Sequence, residues 1–213
     1  MFTGLVEEVG TVNSIVEHGG NHRITIHAPH SAKELNEGNS VAVSGVCLTA
    51  LDIKPDSFCA DLAAETWART SLSRITQSAQ VNLELPLKAD GRLGGHIVHG
   101  HVDGVARFVA LEPIPDADDF WLHLDIPVEL EKYVVFKGSI SIEGISLTVA
   151  KLEGLRLTIA IIPHTIKMTN LGSLQPSDPV NIETDIVAKY LEKWTRREDG
   201  SALTVDRLVA QGF

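Results

Sequence analysis

The chain has 213 residues, of which 44% are hydrophobic and 22% charged, a composition typical of a soluble globular protein with an ample core. Its formal net charge of -10 repels phosphate backbones, so we expect no nucleic-acid partner. The two cysteines do not indicate a disulfide framework, no segment approaches the roughly 18 consecutive apolar residues of a membrane span, and the N-terminus lacks a signal-peptide pattern. These features predict a soluble, cytoplasmic protein that does not bind membranes.

The first part of the chain consists of short strand-like segments separated by turn residues. They read LVEEVGTV, HRITIHA, SVAVSGVCLTAL, SFCADLA and QVNLELP. Many short strands at this spacing predict a small barrel or sandwich. A short helical turn is predicted near Glu65–Ser73, and the charged, Gly-rich segment Lys88–Gly95 predicts a linker.

The same order of segments returns after the linker. Val81–Glu84 (VNLE) matches Val180–Glu183 (VNIE), and Ser40–Leu51 matches Ser139–Ala150. Five such pairs recur in the same order, with offsets between 96 and 99 residues. This regularity predicts two copies of one module.

The end of the chain is predicted to be helical. A second helical turn is expected near His164–Leu171, with Pro163 at its first position. The segment DIVAKYLEKWTRR then has apolar residues at three- and four-residue steps: Val187, Tyr190, Leu191 and Trp194. They predict an amphipathic helix that packs either on its own barrel or on a neighbouring subunit. After Gly200, TVDRLVAQ predicts a second short helix.

The repeated segment SVAVSGVCLTAL changes the phase of its alternation at Gly45, and its copy does so at Gly144. Side chains alternate between the faces of a strand, so a Gly at the switch predicts a bulge or a tight bend. Small polar residues then share a face in each copy: Ser40, Cys47 and Thr49, and Ser139, Ser146 and Thr148. Such a face suits a polar ligand, although exposure to solvent or cross-strand pairing would explain it as well.

The segment GGHIVHGHVDG carries three histidines, His96, His99 and His101. A metal site, proton transfer and ordinary packing are the three interpretations, and the spacing is loose for a metal site. Position favours His101 for proton transfer, because it aligns with Leu5 beside the Gly4/Gly100 pair. The two modules also carry different residues at two further aligned positions: Cys47 aligns with Ser146, and Pro86 aligns with Asp185.

Several motifs together resemble riboflavin synthase of the homotrimeric, two-barrel type. They are MFTGLVEEVG, GVCLT, GGHIVHGHVDG, KGSISIEGISLTV, IPHT, TNLG and VNIETD, and they extend from Met1 to about Tyr190. The resemblance implies a mainly all-β fold: two tandem, homologous six-stranded β-barrels followed by a C-terminal amphipathic helix that drives trimer formation. The implied domains are a first barrel over 1–95, a second barrel over 96–185 and a helical segment over 186–213.

The resemblance also implies a transferase that acts on two molecules of 6,7-dimethyl-8-ribityllumazine. One molecule gives a four-carbon unit to the other, which yields riboflavin and 5-amino-6-(D-ribitylamino)uracil, without cofactor or metal. Association with a lumazine synthase is a further expectation. The alternative is a non-catalytic lumazine- or flavin-binding antenna protein of the same fold. A flavin reductase is disfavoured, because GRLGGH lacks the strand–turn–helix context of a nicotinamide site.

The resemblance assigns catalytic roles to four residues: His101, Cys47, Ser146 and Asp185. His101 would shuttle a proton, Cys47 or Ser146 would add to the ring or deliver water to it, and Asp185 would orient Ser146. It places Gly4–Val6 in the first-barrel pocket and Gly100–Val102 at the start of the second barrel. The implied substrate-binding residues are Gly4, Leu5, Val6, Ser40, Leu48, Thr49, Asp61, Leu62, Ala63, Thr66, Gly100, Val102, Lys137, Leu147, Thr148, Ile161, Ile162, Pro163, His164 and Thr165.

Overall fold

The computed structural model describes residues 1–195 and Val209. Within this range the chain forms two closed, six-stranded antiparallel barrels followed by a helix. The predicted fold class is therefore confirmed. The short helix predicted at TVDRLVAQ lies outside the described residues, apart from Val209.

The first barrel consists of six strands: β1 (Glu8–His18), β2 (Asn21–His27), β3 (Ser40–Val43), β4 (Val46–Lys54), β5 (Ser57–Leu62) and β6 (Gln80–Glu84). They close in the order β1-β2-β5-β4-β3-β6. Helix α1 (Ser31–Glu34) precedes β3. Helix α2 (Ala64–Arg69) and a 3₁₀ turn (Ser71–Arg74) connect β5 to β6, where a helical turn was expected.

The second barrel repeats this plan with β7 (Gly104–Pro113), β8 (Phe120–Asp125), β9 (Ser139–Ile142), β10 (Ile145–Glu153), β11 (Arg156–Ile161) and β12 (Pro179–Thr184). Its closed order is β10-β11-β8-β7-β12-β9, the same cyclic arrangement as in the first barrel. A 3₁₀ turn (Val128–Tyr133) replaces α1. Helix α3 (Pro163–Met168) and a 3₁₀ turn (Asn170–Ser173) connect β11 to β12, and Pro163 stands in the first turn of α3 as expected.

Each barrel has its own hydrophobic core, built from the inward-facing residues of its strands. In β2, Ile24 and Ile26 are fully buried, and Leu122 and Leu124 are buried at the equivalent places in β8. Burying side chains of this size stabilises the fold by about 1.5–3 kcal/mol each. Because the apolar residues point inward, the outer faces of the barrels are free to carry polar groups.

The segment predicted as one interrupted strand, Ser40–Leu51, is a β-hairpin. A two-residue turn joins β3 to β4, with positive φ at both Ser44 (45°) and Gly45 (79°), the geometry of a type I′ turn. The change of phase is therefore the tight bend of a hairpin, and the bulge expected as its alternative is absent there. The register pairs Ser40 with Thr49 and Ala42 with Cys47.

The second copy has the same hairpin between β9 and β10. Its turn residues, Glu143 and Gly144, have φ of 50° and 80°. The register pairs Ser139 with Thr148 and Ser141 with Ser146. Because the intervening residues belong to the barrel cores, the small polar residues of both hairpins lie on the outer faces of the barrels.

The two hairpin turns meet where the barrels pack together. A Cβ atom added to Gly45 would lie 2.7 Å from the backbone nitrogen of Gly144, so the turns need glycine at this contact. Buried amides complete the interface: Asn82 Nδ2 donates to Asn170 Oδ1 (2.9 Å) and Asn181 Nδ2 donates to the Ser44 carbonyl (2.9 Å). Side chains from both modules thus form one polar layer.

Helix α4 (Ile186–Thr195) follows the second barrel and carries the predicted apolar stripe. Lys189 Nζ lies 2.6 Å from Asp103 and attaches the helix to the second barrel. The stripe itself is exposed: Val187 55%, Tyr190 60%, Leu191 60% and Trp194 81%. In the described part of the chain, no helix has the length and apolar character needed to cross a membrane.

Candidate active site

The outer face of the first hairpin contacts the start of the second module. The Cys47 backbone N–H donates to the Gly100 carbonyl (2.9 Å). A Cβ atom at Gly100 would lie 2.5 Å from Cys47 Cβ, and the φ of Gly100 is +78°. Only glycine fits here, because a side chain would be both strained and in collision. We call this region, Ser40, Cys47 and Thr49 with Gly100–Val102, the first pocket.

The outer face of the second hairpin contacts the start of the chain in the same way. The Ser146 backbone N–H donates to the Gly4 carbonyl (2.7 Å). A Cβ atom at Gly4 would lie 2.6 Å from Ser146 Cβ, and the φ of Gly4 is also +78°. We call this region, Ser139, Ser146 and Thr148 with Gly4–Val6, the second pocket.

The starting segments of the two modules are therefore exchanged. Val6 packs against the core of the second barrel, and Val102 packs against the core of the first. Phe2 and Val98 pair where the segments cross, with the Phe2 N–H donating to the Val98 carbonyl (2.7 Å) and the Val98 N–H to the Phe2 carbonyl (3.1 Å). Gly4–Val6 was expected at the first barrel, but Val6 packs on the second; Gly100–Val102, at the start of the second barrel in sequence, packs through Val102 on the first.

Two buried glutamates hold the exchanged segments. Glu84, at the end of β6, accepts hydrogen bonds from the backbone N–H groups of Thr3 (2.6 Å) and Gly4 (2.9 Å) and from the Thr3 hydroxyl (2.7 Å). Glu183, at the end of β12, accepts from the N–H groups of His99 (2.7 Å), Gly100 (2.9 Å) and His101 (3.0 Å). Burial raises the pKa of Glu84, and the hydrogen bonds from Thr3 and Gly4 oppose that rise.

Neither Glu84 nor Glu183 was expected from the sequence to have a role. The sequence did contain a signal for them, because the repeated segments VNLE and VNIE both end in a glutamate that follows buried strand residues. A charge that is retained at a buried place needs hydrogen-bond donors, and here those donors are backbone N–H groups.

The three histidines of GGHIVHGHVDG have different environments. His101 is exposed beside Gly100, and its ring stacks on that of His99 with 5.7 Å between the centroids. His96 is buried, and its Nδ1 lies 2.7 Å from Ser146 Oγ. Burial lowers the pKa of His96, and the nearby negative charge of Asp185 opposes that shift.

Among the described residues, Asp185 makes no hydrogen bond to Ser146. Its Oδ1 accepts a hydrogen bond from the Val187 N–H (2.9 Å) at the start of α4. Asp185 was expected to orient the Ser146 hydroxyl. In the structure, His96 is the residue whose side chain hydrogen-bonds to that hydroxyl.

The other predicted lining residues fall into two groups. Most have exposed or partly exposed side chains: Leu5, Thr49, Ala63, Thr66, Lys137, Leu147, Thr148, Ile162, Pro163, His164 and Thr165. The side chains of Leu48, Leu62 and Ile161 belong to the barrel cores, so only their backbone atoms are available to a ligand.

Asp61 is occupied by an ion pair. Arg23 Nε and Nη2 donate to its two carboxylate oxygens at 2.6 and 2.8 Å. This pairing holds the pKa of Asp61 below its ordinary value. A ligand contact at Asp61 therefore has to share a carboxylate that Arg23 already binds.

Each pocket has exposed side chains in the single chain, Thr49 and His101 in the first and Leu5 and Thr148 in the second. A cavity of about 630 Å³ lies elsewhere, between the modules, and is lined by residues such as Arg74, Glu143 and Ser177 and by none of the predicted site residues. Within residues 1–195 there is no group of three or more His, Cys, Asp or Glu side chains that could hold a metal ion.

Comparison with known proteins agrees with the internal duplication. The lumazine-binding domain family matches residues 3–86 and again residues 99–185. The riboflavin synthase of Actinobacillus pleuropneumoniae is 41% identical over 217 residues, which cover 100% of both chains. That of Bacillus subtilis is 39% identical (92% of this chain, 91% of the relative), and that of Mycobacterium tuberculosis is 42% identical (92% and 98%).

A solved structure shares the fold. LumP complexed with 6,7-dimethyl-8-(1'-D-ribityl) lumazine superposes with a TM-score of 0.77 at 24% sequence identity, over 86% of this chain and 99% of LumP. At this level of identity the likeness shows the two-barrel architecture alone.

Proposed function

The chain belongs to the lumazine-binding domain family and, within it, to the riboflavin synthases, and from this premise we propose that it converts two molecules of 6,7-dimethyl-8-ribityllumazine into riboflavin. One molecule donates a four-carbon unit to the other, and the donor leaves as 5-amino-6-(D-ribitylamino)uracil. The protein is a transferase of riboflavin biosynthesis.

The observation that carries this proposal is the doubled pocket. Each pocket combines a hairpin that bears a small polar face with a glycine-anchored segment from the other module. Two similar pockets suit two copies of one substrate. A reaction between identical molecules also needs unequal surroundings, and the pockets differ by Cys47 against Ser146 and by His101 against Leu5.

Positioning supplies a large part of the rate. Holding two substrates face to face converts a bimolecular step into an effectively unimolecular one, an effect of up to about 7–11 kcal/mol in well-aligned systems. Only modest base assistance is then required, because the lumazine ring carries an unusually acidic methyl group.

We assign proton transfer to His101, which is an exposed residue of the first pocket. Cys47 and Ser146 contact the substrate from the two hairpins and add to the ring or deliver water to it. Asp185 acts on the second pocket from the start of α4. The predicted lining residues around each hairpin, Lys137 included, bind the ring edges and the ribityl chains.

A homotrimer is the proposed assembly, with the working site between the first barrel of one subunit and the second barrel of another. Two observations support it: each pocket has exposed side chains in the single chain, such as Thr49 and Thr148, and the apolar stripe of α4 is exposed. The proposed modules are 1–95, 96–185 and 186–213. Sedimentation of the wild type should give a trimer, and Leu191→Glu should reduce it to smaller species, whereas Lys193→Glu, which lies off the stripe, should not.

The remaining proposals concern partners and location. We propose a cytoplasmic enzyme that needs no cofactor or metal and that receives its substrate from a lumazine synthase with which it associates. The net charge of -10 opposes nucleic-acid binding.

The decisive experiment uses the purified protein and 6,7-dimethyl-8-ribityllumazine alone. We expect riboflavin absorbance to appear with one riboflavin formed for every two molecules of substrate consumed. Binding of the lumazine without conversion would refute the enzyme and favour an antenna protein.

A further inference from the structure

Among the described residues, the second pocket contains a side-chain hydrogen bond that has no equivalent in the first. His96 Nδ1 lies 2.7 Å from Ser146 Oγ, and His96 is only 8% exposed. We infer that His96 is a positioning residue that fixes the Ser146 hydroxyl against the bound substrate, and that this bond makes the two pockets chemically unequal. The inference rests on the proposed function, because its consequence is a difference between the two substrate molecules.

The position of His96 is determined by the segments around it. Its backbone N–H donates to the Thr3 carbonyl (3.1 Å), and Glu84 holds the Thr3 hydroxyl (2.7 Å). A Cβ atom at the preceding residue, Gly95, would lie 2.1 Å from the Thr3 carbonyl oxygen and 2.9 Å from Ser146 Oγ. The backbone before His96 therefore packs directly on Ser146, and this packing places the imidazole next to the Ser146 hydroxyl.

The ring of His96 is suited to orient a hydroxyl. Burial lowers its pKa, with Asp185 opposing, so the ring is neutral at neutral pH. A neutral imidazole has one donor and one acceptor nitrogen. Its Nε2 is buried and has no partner among the described residues, so the Ser146 hydroxyl is the contact that the ring makes.

Cys47, at the equivalent place in the first pocket, is held differently. Its side chain packs against a small cluster of Phe2, Ala42 and Val98. Within the described residues its sulfur has no hydrogen-bond partner, and a thiol forms only weak hydrogen bonds. Packing therefore positions the sulfur in the first pocket, whereas a hydrogen bond directs the oxygen in the second.

A pair of substitutions at His96 separates the hydrogen bond from the bulk of the ring. His96→Asn places an amide close to the position of Nδ1 and keeps the contact with Ser146. His96→Gln places its amide near Nε2 and loses that contact. We expect His96→Gln to lower kcat about 2- to 12-fold, the effect of one net hydrogen bond, and His96→Asn to restore most of it.

The matched control is the same pair of substitutions at His27, a partly exposed residue of β2 whose Nδ1 lies 3.6 Å from Asp56 Oδ2. Both His27 variants should retain wild-type kcat. Equal losses for His96→Asn and His96→Gln would overturn the inference, because a bulk effect of the ring would then explain them.

A double-mutant cycle tests whether His96 acts through Ser146. In a Ser146→Ala background, His96→Gln should cause no further loss of kcat. Additive losses would mean that His96 acts by another route and would overturn the inference.

A spectroscopic measurement keeps this test independent of catalysis. In the unliganded protein, the ¹⁵N shifts of the His96 ring should change on Ser146→Ala, while those of His27 should not. An unchanged His96 signal would overturn the inference. If the wild type formed no riboflavin, the proposed function would fail, and this spectrum would still decide whether the pair exists.

Discussion

The first and second pockets share one backbone frame and differ in how they hold their central side chain. In both, a hairpin residue donates its N–H to a glycine carbonyl, at 2.9 Å for Cys47 and 2.7 Å for Ser146. In the first pocket Cys47 packs among apolar groups, and in the second Ser146 bonds to buried His96. The comparison teaches that duplication supplied two equal frames, and that neighbouring side chains, not the backbone, made them unequal.

The largest expected effect is on the shared frame itself. Gly4→Ala and Gly100→Ala should each destabilise the fold by about 3 kcal/mol or more, because the new Cβ is strained and collides with the facing hairpin. Gly19→Ala is the control: its φ is +60° but nothing lies within 4 Å, so strain alone should cost about 1 kcal/mol. Denaturant unfolding measures all three, and equal costs would mean that the close contacts do not matter.

The next effect concerns the histidine that stands only in the first pocket. His101→Gln should lower kcat about 100-fold, because it removes a group that transfers a proton. Leu5→Gln, at the equivalent place in the second pocket, should raise KM and leave kcat nearly unchanged. Steady-state kinetics separates the two, and a similar loss of kcat in both variants would contradict an unequal role.

The two glutamates that hold the exchanged segments should be equivalent. Glu84→Gln and Glu183→Gln should each lower the free energy of unfolding by about 2 kcal/mol, because one carboxylate oxygen becomes a donor that faces backbone N–H groups. Glu17→Gln on the exposed end of β1 should change it by less than about 0.5 kcal/mol. Thermal unfolding provides the measurement, and a loss at only one of the pair would show that the exchange is not symmetric.

A smaller effect should come from the hairpin turns, in which Glu143 of the second barrel occupies the position that Ser44 occupies in the first. Burial raises the pKa of Glu143 above its ordinary value of 4.5, against hydrogen bonds from Asn181, Ser44, Asn170 and Ser71. The folded state therefore binds the proton more tightly than the unfolded state does. Its contribution to stability is fully present below pH 4.5 and is lost as the pH rises through the folded pKa.

Glu143→Gln removes this titration. Unfolding measured in urea from pH 4 to pH 8 should show a smaller decline of stability with rising pH in the variant than in the wild type. Identical pH profiles would show that the Glu143 carboxyl titrates alike in the folded and unfolded states.

The smallest expected effect comes from exchanging the Cys47 sulfur and the Ser146 oxygen between the two pockets. Ser146→Cys should lower kcat about 5-fold, because a thiol bonds weakly to His96, whereas Cys47→Ser should change it by less than about 2-fold. Turnover and substrate titration test the order of the two effects. A larger loss for Cys47→Ser would mean that the first pocket, not the second, depends on an oriented side chain.

Much of the fold was predictable because its signals are local or repeated. Alternating residues such as Ile24 and Ile26 predict strands, and the recurring segments predict two modules. The hairpin at Gly45 was anticipated only as a bulge or bend, since a change of phase alone does not tell whether the chain continues or reverses. The pairing of Ser40 with Thr49 followed either way, because both geometries return the polar residues to one face.

The candidate site was less predictable, because its contacts join residues that are far apart in sequence. Aligning the repeats placed Gly4 with the first module, and only the crossing at Phe2 and Val98 carries it to the second. The contact between His96 and Ser146 spans 50 residues, and no periodicity encodes it.

By itself, the sequence determined the duplication, the strand content, the polar outer faces and the amphipathic stripe of α4, since each depends on neighbours along the chain or on the repeat. The tertiary structure decided which segment closes which pocket, which carboxylates hold those segments and which imidazole meets Ser146. These depend on where two barrels dock, and docking is set by the complementary surfaces at Gly45 and Gly144. The two pockets therefore differ because of residues that are far apart in the chain and that come into contact only when the modules pack together.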